Sequence, residues 1–217
     1  MINGIIFDLD GTLLNTLEDL HASVNFALTE FQYPIKTIEE VRNAVGNGVK
    51  ILFEKVLPDG ANNPNIDKVI TIFKEHYNSN MYNKTCPYVG IMEMLKELKL
   101  KGILTAVVSN KFDAAVKDLC KKYFGDLINI AIGENEAAGI RKKPYPDGTF
   151  KAIEQLRVSI EDVIYVGDSE TDIQTAKNAG IDCISCSWGF RNKEILQEAG
   201  ARYIIELPEQ IFDIIKI

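Results

Sequence analysis

The chain has 217 residues, enough for one large or two small domains with a sizeable core. Its hydrophobic fraction of 46% and charged fraction of 25% are those of an ordinary globular chain. With 24 Lys plus Arg against 31 Asp plus Glu the net charge is −7, which argues against a nucleic-acid backbone or an anionic membrane as main partner but leaves a small anionic substrate open.

The first predicted strand is Gly4–Phe7, continuous in apolar residues as buried parallel strands are. It ends at Asp8 and has no basic region before it, so it does not read as a signal peptide. From about residue 15 to 86 no strand is expected. Leu17, Leu20, Val24, Ala27, Leu28 and Phe31 fall at helical spacing, as do Val49, Leu52, Phe53 and Val56, and Ile66 to Tyr77 reads as another helix. Pro58 to Asn65, with Gly60 and Pro64, is a turn within this module, and Cys86-Pro87 marks its end. Beyond it, strands are predicted at Ile103–Val108, Ile128–Ile132, Val163–Val166 and Cys183–Ser185, with Tyr203–Ile205 as an edge. Helices are predicted between most of them, at Glu93–Lys99, Ala114–Tyr123, Phe150–Leu156 and Asp172–Asn178, the last closed by Gly180. This alternation implies an α/β fold with a Rossmann-like, doubly wound parallel sheet. The core is assigned to residues 1–14 and 87–217, with an all-helical domain over 15–86 inserted after the first strand.

The longest apolar stretch, about Ile103 to Val108, is far short of the ~20 residues that span a bilayer. The four cysteines do not suggest a disulfide scaffold, and a cytoplasmic chain with reduced thiols is expected. Cys183-Ile184-Ser185-Cys186 has the spacing of a zinc or redox pair but no partner pair, and reads as small core residues.

Ligands of open α/β sheets bind beyond the carboxyl ends of the strands. Asp8-Leu9-Asp10-Gly11-Thr12 follows the first strand, Ser109-Asn110-Lys111 the second, and Gly167-Asp168-Ser169 the fourth, with Asp172 shortly after; Lys142-Lys143-Pro144-Tyr145-Pro146 precedes a helix. Two carboxylates at one site repel unless a cation intervenes. A divalent ion held by Asp8, Asp168 and a backbone carbonyl would relieve this, and an all-oxygen set suits Mg²⁺. Asp8 then serves as nucleophile and Asp10 as general acid–base, while Ser109 supplies a hydroxyl donor and Lys143 a fixed positive charge.

These four segments, in this order, resemble the signature motifs of the haloacid dehalogenase-like phosphohydrolases: Asp8-Leu9-Asp10-Gly11-Thr12, Ser109-Asn110, Lys143-Pro144-Tyr145-Pro146, and Gly167-Asp168-Ser169-Glu170-Thr171-Asp172. The resemblance implies an aspartyl-phosphate on Asp8, with Asp10 protonating the leaving group and then activating water. It implies phosphoryl contacts from Ser109 and from the backbone N–H of Asn110, and charge neutralisation by Lys143. It also implies Mg²⁺ held by Asp8, Asp168 and the carbonyl of Asp10, with Asp172 and Thr12 supporting the site from behind. The position of the insert is similar to that of the helical cap in this superfamily's first cap class. Ala44-Val45-Gly46-Asn47-Gly48 and Trp188-Gly189-Phe190-Arg191 resemble segments of the phosphoglycolate phosphatase-like members, which makes Gly46, Asn47 and Gly48 candidate substrate contacts. Gly46-Asn47-Gly48 also reads simply as a helix-joining turn.

The expected activity is Mg²⁺-dependent hydrolysis of a small phosphorylated metabolite, with phosphoglycolate as the first candidate. A sugar-phosphate mutase of the β-phosphoglucomutase kind, a pyrophosphatase, a haloacid dehalogenase and a non-catalytic phosphate-binding module are the alternatives. A monomer or weak homodimer is expected. His21, His76, Arg42 and Lys50 enter no motif and are read as structural or exposed.

Overall fold

A computed structural model describes residues 1–216. The chain forms two compact units, one of Met1–Leu14 with Pro87–Ile217 and one of Asn15–Cys86. Strand β1 (Gly4–Phe7) is buried throughout. The chain passes between the units twice, at the two-residue strands β2 (Leu14–Asn15) and β3 (Cys86–Pro87), in a region where the apolar pattern signals no strand.

The helical unit consists of α1 (Leu17–Glu30), α2 (Ile38–Ala44), α3 (Val49–Val56) and α4 (Ile66–Asn80). Its centre is aromatic: Phe53 meets Phe73 edge-on at 5.3 Å between ring centroids, and Phe73 stacks on Tyr77 at 5.6 Å. Helix α2 is not among the predicted helices, although Thr37 and Glu40 form a reciprocal capping box readable as Thr-x-x-Glu. The turn over Pro58–Asn65 contains a short 3₁₀ segment at Gly60–Asn62. Buried Asp19 accepts hydrogen bonds from the Lys84 and Thr85 backbone N–H groups and from the Thr85 hydroxyl, fixing the end of the unit onto α1. His21 and His76 are structural here: a ring nitrogen of His21 lies 2.9 Å from the Lys36 carbonyl, and one of His76 lies 3.0 Å from the Ser23 hydroxyl.

The second unit continues with α5 (Ile91–Leu100), β4 (Leu104–Phe112), α6 (Asp113–Tyr123), β5 (Ile130–Glu134), α7 (Asp147–Leu156), β6 (Val163–Gly167), α8 (Glu170–Ala179), β7 (Asp182–Cys186), α9 (Lys193–Glu198), β8 (Tyr203–Ile205) and α10 (Ile211–Ile215). Six parallel strands form one sheet in the order β5-β4-β1-β6-β7-β8. The winding runs outward from β1 through β4 to β5, then returns to β6 on the other side, so β1 lies at the switch point of a doubly wound sheet. Phe7 is in register with both Val107 and Val166, which places the residues after β1 and β6 at one sheet edge.

One side of this sheet is a continuous apolar layer in which Ile6, Ala106, Val108 and Ile132 meet Ala152, Ile153 and Leu156 of α7 and Ala176 of α8. Helix α8 starts at Ser169, whose N–H and hydroxyl both donate to Asp172, and stops at Gly180 with φ +75°.

Strand β4 extends beyond the predicted Val108 to Phe112, so Ser109, Asn110 and Lys111 lie within it rather than after it. Its pairing with β5 shifts register between Val108 and Phe112. A polar run carries no apolar signal, which is why the strand is longer than its hydrophobic pattern. Strand β5 begins two residues later than the predicted Ile128, and α9 and α10 are short helices absent from the predicted set. Among the described residues no helix is long and apolar enough to cross a membrane.

Candidate active site

Asp8 follows β1 directly, its backbone N–H donating to the Val166 carbonyl at 2.9 Å. Asp168 and Asp172 stand beyond the end of β6, on the turn into α8 and in its first turn. All three acids are buried, and each offers a carboxylate oxygen within 4.8 Å of the others. Lys143 lies among them, its Nζ 2.8 Å from Asp8 Oδ1 and 2.7 Å from Asp172 Oδ1. The other oxygen of Asp172 accepts from the Ser169 hydroxyl at 2.6 Å and the Ser169 N–H at 3.1 Å. Asp172 is therefore engaged on both sides, by Lys143 and by the helix start.

Asp168 has donors of its own. The Phe190 N–H donates to Oδ2 at 2.7 Å, and the Thr12 hydroxyl donates to Oδ1 at 3.3 Å. The Trp188 indole N–H closes the same corner on the Thr12 carbonyl at 3.0 Å. Two glycines permit this close approach. A Cβ on Gly11, whose φ is +86°, would lie 2.2 Å from Asp168 Oδ2, and one on Gly189 would lie 2.4 Å from the Gly11 carbonyl oxygen.

The loop that delivers Lys143 is clamped by Asn110. Its Oδ1 accepts the Lys143 N–H at 2.7 Å, and its Nδ2 donates to the Lys143 carbonyl at 3.2 Å. Asn178 of α8 donates to the Pro144 carbonyl at 2.8 Å, and the Lys143-Pro144 peptide is cis. The Asn110 side chain is thus committed to the loop, in keeping with any phosphoryl contact coming from its backbone. Ser109 is buried beside it, its hydroxyl accepting the Lys111 N–H at 3.3 Å.

Asp10 is not one of these three clustered acids and pairs with Lys111. Its two carboxylate oxygens lie 3.0 and 2.9 Å from Lys111 Nζ, and both side chains are largely out of solvent. Lys111 and the Phe190 N–H are site contributors absent from the predicted set. Lys111 directly follows Ser109-Asn110 and was readable by position, whereas a backbone donor carries no sequence signal. Gly46, Asn47 and Gly48 belong to the helical unit, where they join α2 to α3.

Three buried carboxylates face one ammonium. Burial pushes the Asp8 carboxyl up to about 7, with Asp172 and Asp10 adding to the rise and Lys143 opposing it. Burial together with Asp172 and Asp8 holds Asp168 well above the usual carboxylate range. Burial pulls Lys143 down, but Asp172 and Asp8 prevail and keep it well above an ordinary lysine. The excess of buried negative charge and the all-oxygen donor set fit a hard divalent cation, with Asp8 and Asp168 as available ligands.

The match to a family model described as haloacid dehalogenase-like hydrolase spans residues 5–186. A phosphoglycolate phosphatase from Aquifex aeolicus is 34% identical over 191 residues, covering 86% of this chain and 85% of its own. One from Pseudomonas savastanoi pv. phaseolicola is 31% identical, covering 93% of this chain and 75% of its own. A crystal structure assigned as a phosphoglycolate phosphatase from Lactobacillus delbrueckii subsp. bulgaricus superposes with a TM-score of 0.92 at 34% identity, covering 98% of each chain.

Proposed function

The chain belongs to the haloacid dehalogenase-like hydrolases and is a phosphoric monoester hydrolase of that family, and we propose that it cleaves a small phosphate ester through an aspartyl-phosphate on Asp8. The observation that carries this reading is the buried Asp8 carboxylate at the end of β1 with Lys143 Nζ 2.8 Å away. Asp8 is fixed by the strand and by its N–H bond to Val166, so its carboxylate needs little reorganisation to attack phosphorus.

In the first step an Asp8 oxygen bonds to phosphorus as the bond to the leaving oxygen breaks, and Asp10 supplies the proton that leaving oxygen needs. Lys143 offsets negative charge on Asp8 and on the transferring group, with Asp172 fixing its ammonium in place. Ser109 and the Asn110 backbone N–H hold phosphoryl oxygens. In the second step water attacks phosphorus, Asp10 takes its proton, and the electron pair returns to Asp8. Asp8, Asp168 and the Asp10 carbonyl would hold Mg²⁺, which would supply charge compensation for the phosphoryl oxygens when bound.

The names carried by the relatives make 2-phosphoglycolate the first substrate to try. Residues 15–86 fall in the chain order of a cap, inserted after β1, and a cap role for them belongs to this proposal. Phosphate release from p-nitrophenyl phosphate, 2-phosphoglycolate, pyrophosphate, glucose phosphates and nucleoside monophosphates, with Mg²⁺ or EDTA, tests the reading. Metal-dependent release from a small ester, lost in a folded Asp8→Asn variant, is the expected result. Full activity in that variant overturns the assignment of Asp8, and interconversion of glucose phosphates without release makes the enzyme a mutase.

A further inference from the structure

The one buried lysine at this site with no place in the steps above is Lys111. Its Nζ lies nearly equidistant from the two Asp10 oxygens, at 3.0 and 2.9 Å, with the lysine side chain 5% exposed and the aspartate 14%. Three consecutive residues within the register shift of β4 bear on the site region. Asn110 clamps the Lys143 loop, the Ser109 hydroxyl accepts the Lys111 N–H, and Lys111 reaches Asp10. The strand end beyond it is fixed in turn, because the Gly133 N–H of β5 donates to Asp113 at 3.0 Å. The lysine therefore projects from a rigid support.

We propose that Lys111 is a positioning residue for Asp10, holding its carboxylate in the orientation that accepts a proton from water when the aspartyl-phosphate is hydrolysed. The argument is geometric. Asp10 follows β1 on a turn whose Gly11 N–H bonds to the Leu14 carbonyl, and a carboxylate on such a turn has several rotamers open to it. An ammonium shared between both its oxygens selects one. The carboxylate held this way is an acceptor, the form needed when water attacks phosphorus, the bond from phosphorus to Asp8 breaks and the water proton passes to Asp10. Misplacing a catalytic group by about 1 Å costs on the order of 10²-fold in rate. The loss should fall on hydrolysis of the intermediate and not on its formation from an ester whose leaving group needs no proton.

This inference rests on the Asp8 reading, and p-nitrophenyl phosphate separates the two. Its leaving group departs without an acid, so kcat/KM reports formation of the aspartyl-phosphate, while kcat includes its hydrolysis. For Lys111→Met the expected result is a fall in kcat of about 10²-fold, with kcat/KM within about three-fold of wild type, and phosphorylated enzyme accumulating as an added phosphate mass on the intact protein. Lys111→Arg, which keeps a buried cation, should recover at least a tenth of wild-type kcat. If Lys111→Met does not fold, Lys111→Gln keeps an uncharged N–H donor group and carries the same test. An unchanged kcat, or equal falls in kcat and kcat/KM with no phosphorylated enzyme, overturns the role of Lys111. Wild-type activity in Asp8→Asn overturns the underlying reading whatever the lysine variants do.

Discussion

Lys143→Met removes the single cation that separates Asp8 from Asp172, and the cost follows from the geometry. The Lys143 side chain is 3% exposed, and its ammonium lies within 2.8 Å of both carboxylates. Deleting one partner of a buried ion pair costs about 3–5 kcal/mol, because the charge left behind has neither water nor a counter-ion. The unfolding entropy of a 217-residue chain, at about 2.1 cal/mol/K per residue, is roughly 0.46 kcal/mol/K, so the melting temperature should fall by about 7–11 °C at pH 8 in EDTA. The loss should shrink towards pH 5. Asp8 has its folded-state carboxyl raised to about 7 from 3.8, so its ionisation weakens the fold as pH rises between those values. Near pH 5 Asp8 is largely protonated in the folded protein and no longer needs the ammonium. Calorimetric melts of both proteins at pH 5 and pH 8 in EDTA measure the difference. A shift under about 2 °C at pH 8 would refute the claim that Lys143 offsets buried charge, and an equal shift at both pH values would refute the share of that charge assigned to Asp8.

The same charge balance governs metal binding. Mg²⁺ should raise the melting temperature of the wild-type protein at pH 8 and do so much less at pH 5, where the ion must displace protons from Asp8 and Asp168. Melts across a Mg²⁺ titration at both pH values check this, and equal shifts would argue against those two ligands. Asn110→Ala breaks both clamps on the Lys143 backbone and should lower kcat by about 10–100-fold while leaving the far-ultraviolet circular dichroism unchanged. Activity within three-fold of wild type would show that the loop holds Lys143 without Asn110.

The α/β alternation was legible in the chain because parallel strands buried on both faces must be apolar along their length. Gly4–Phe7 and Val163–Val166 stand out for that reason, and both are buried residue by residue. The order of the four motifs was equally legible, since each is a short run of residue types with few structural uses. The end of β4 was not. Ser109, Asn110 and Lys111 are strand residues whose polarity hides them, and they are buried because the site supplies their partners. Helix α2 announces itself only through its cap, its seven residues being too few for a clear apolar period.

The residue types and their order along the chain thus define the family and list the acids, the lysine and the hydroxyl available for chemistry. Distance, burial and pairing are properties of the packed sheet. Only packing brings Lys143 across from its loop to Asp8, turns Asp10 onto Lys111 and aims the Phe190 N–H at Asp168. Those contacts join residues from about 22 to 135 positions apart, and local propensity does not encode which of two nearby carboxylates a distant lysine will meet. Burial then decides the electrostatics, raising Asp8 to about 7 in a site where the isolated peptide would be fully ionised at neutral pH.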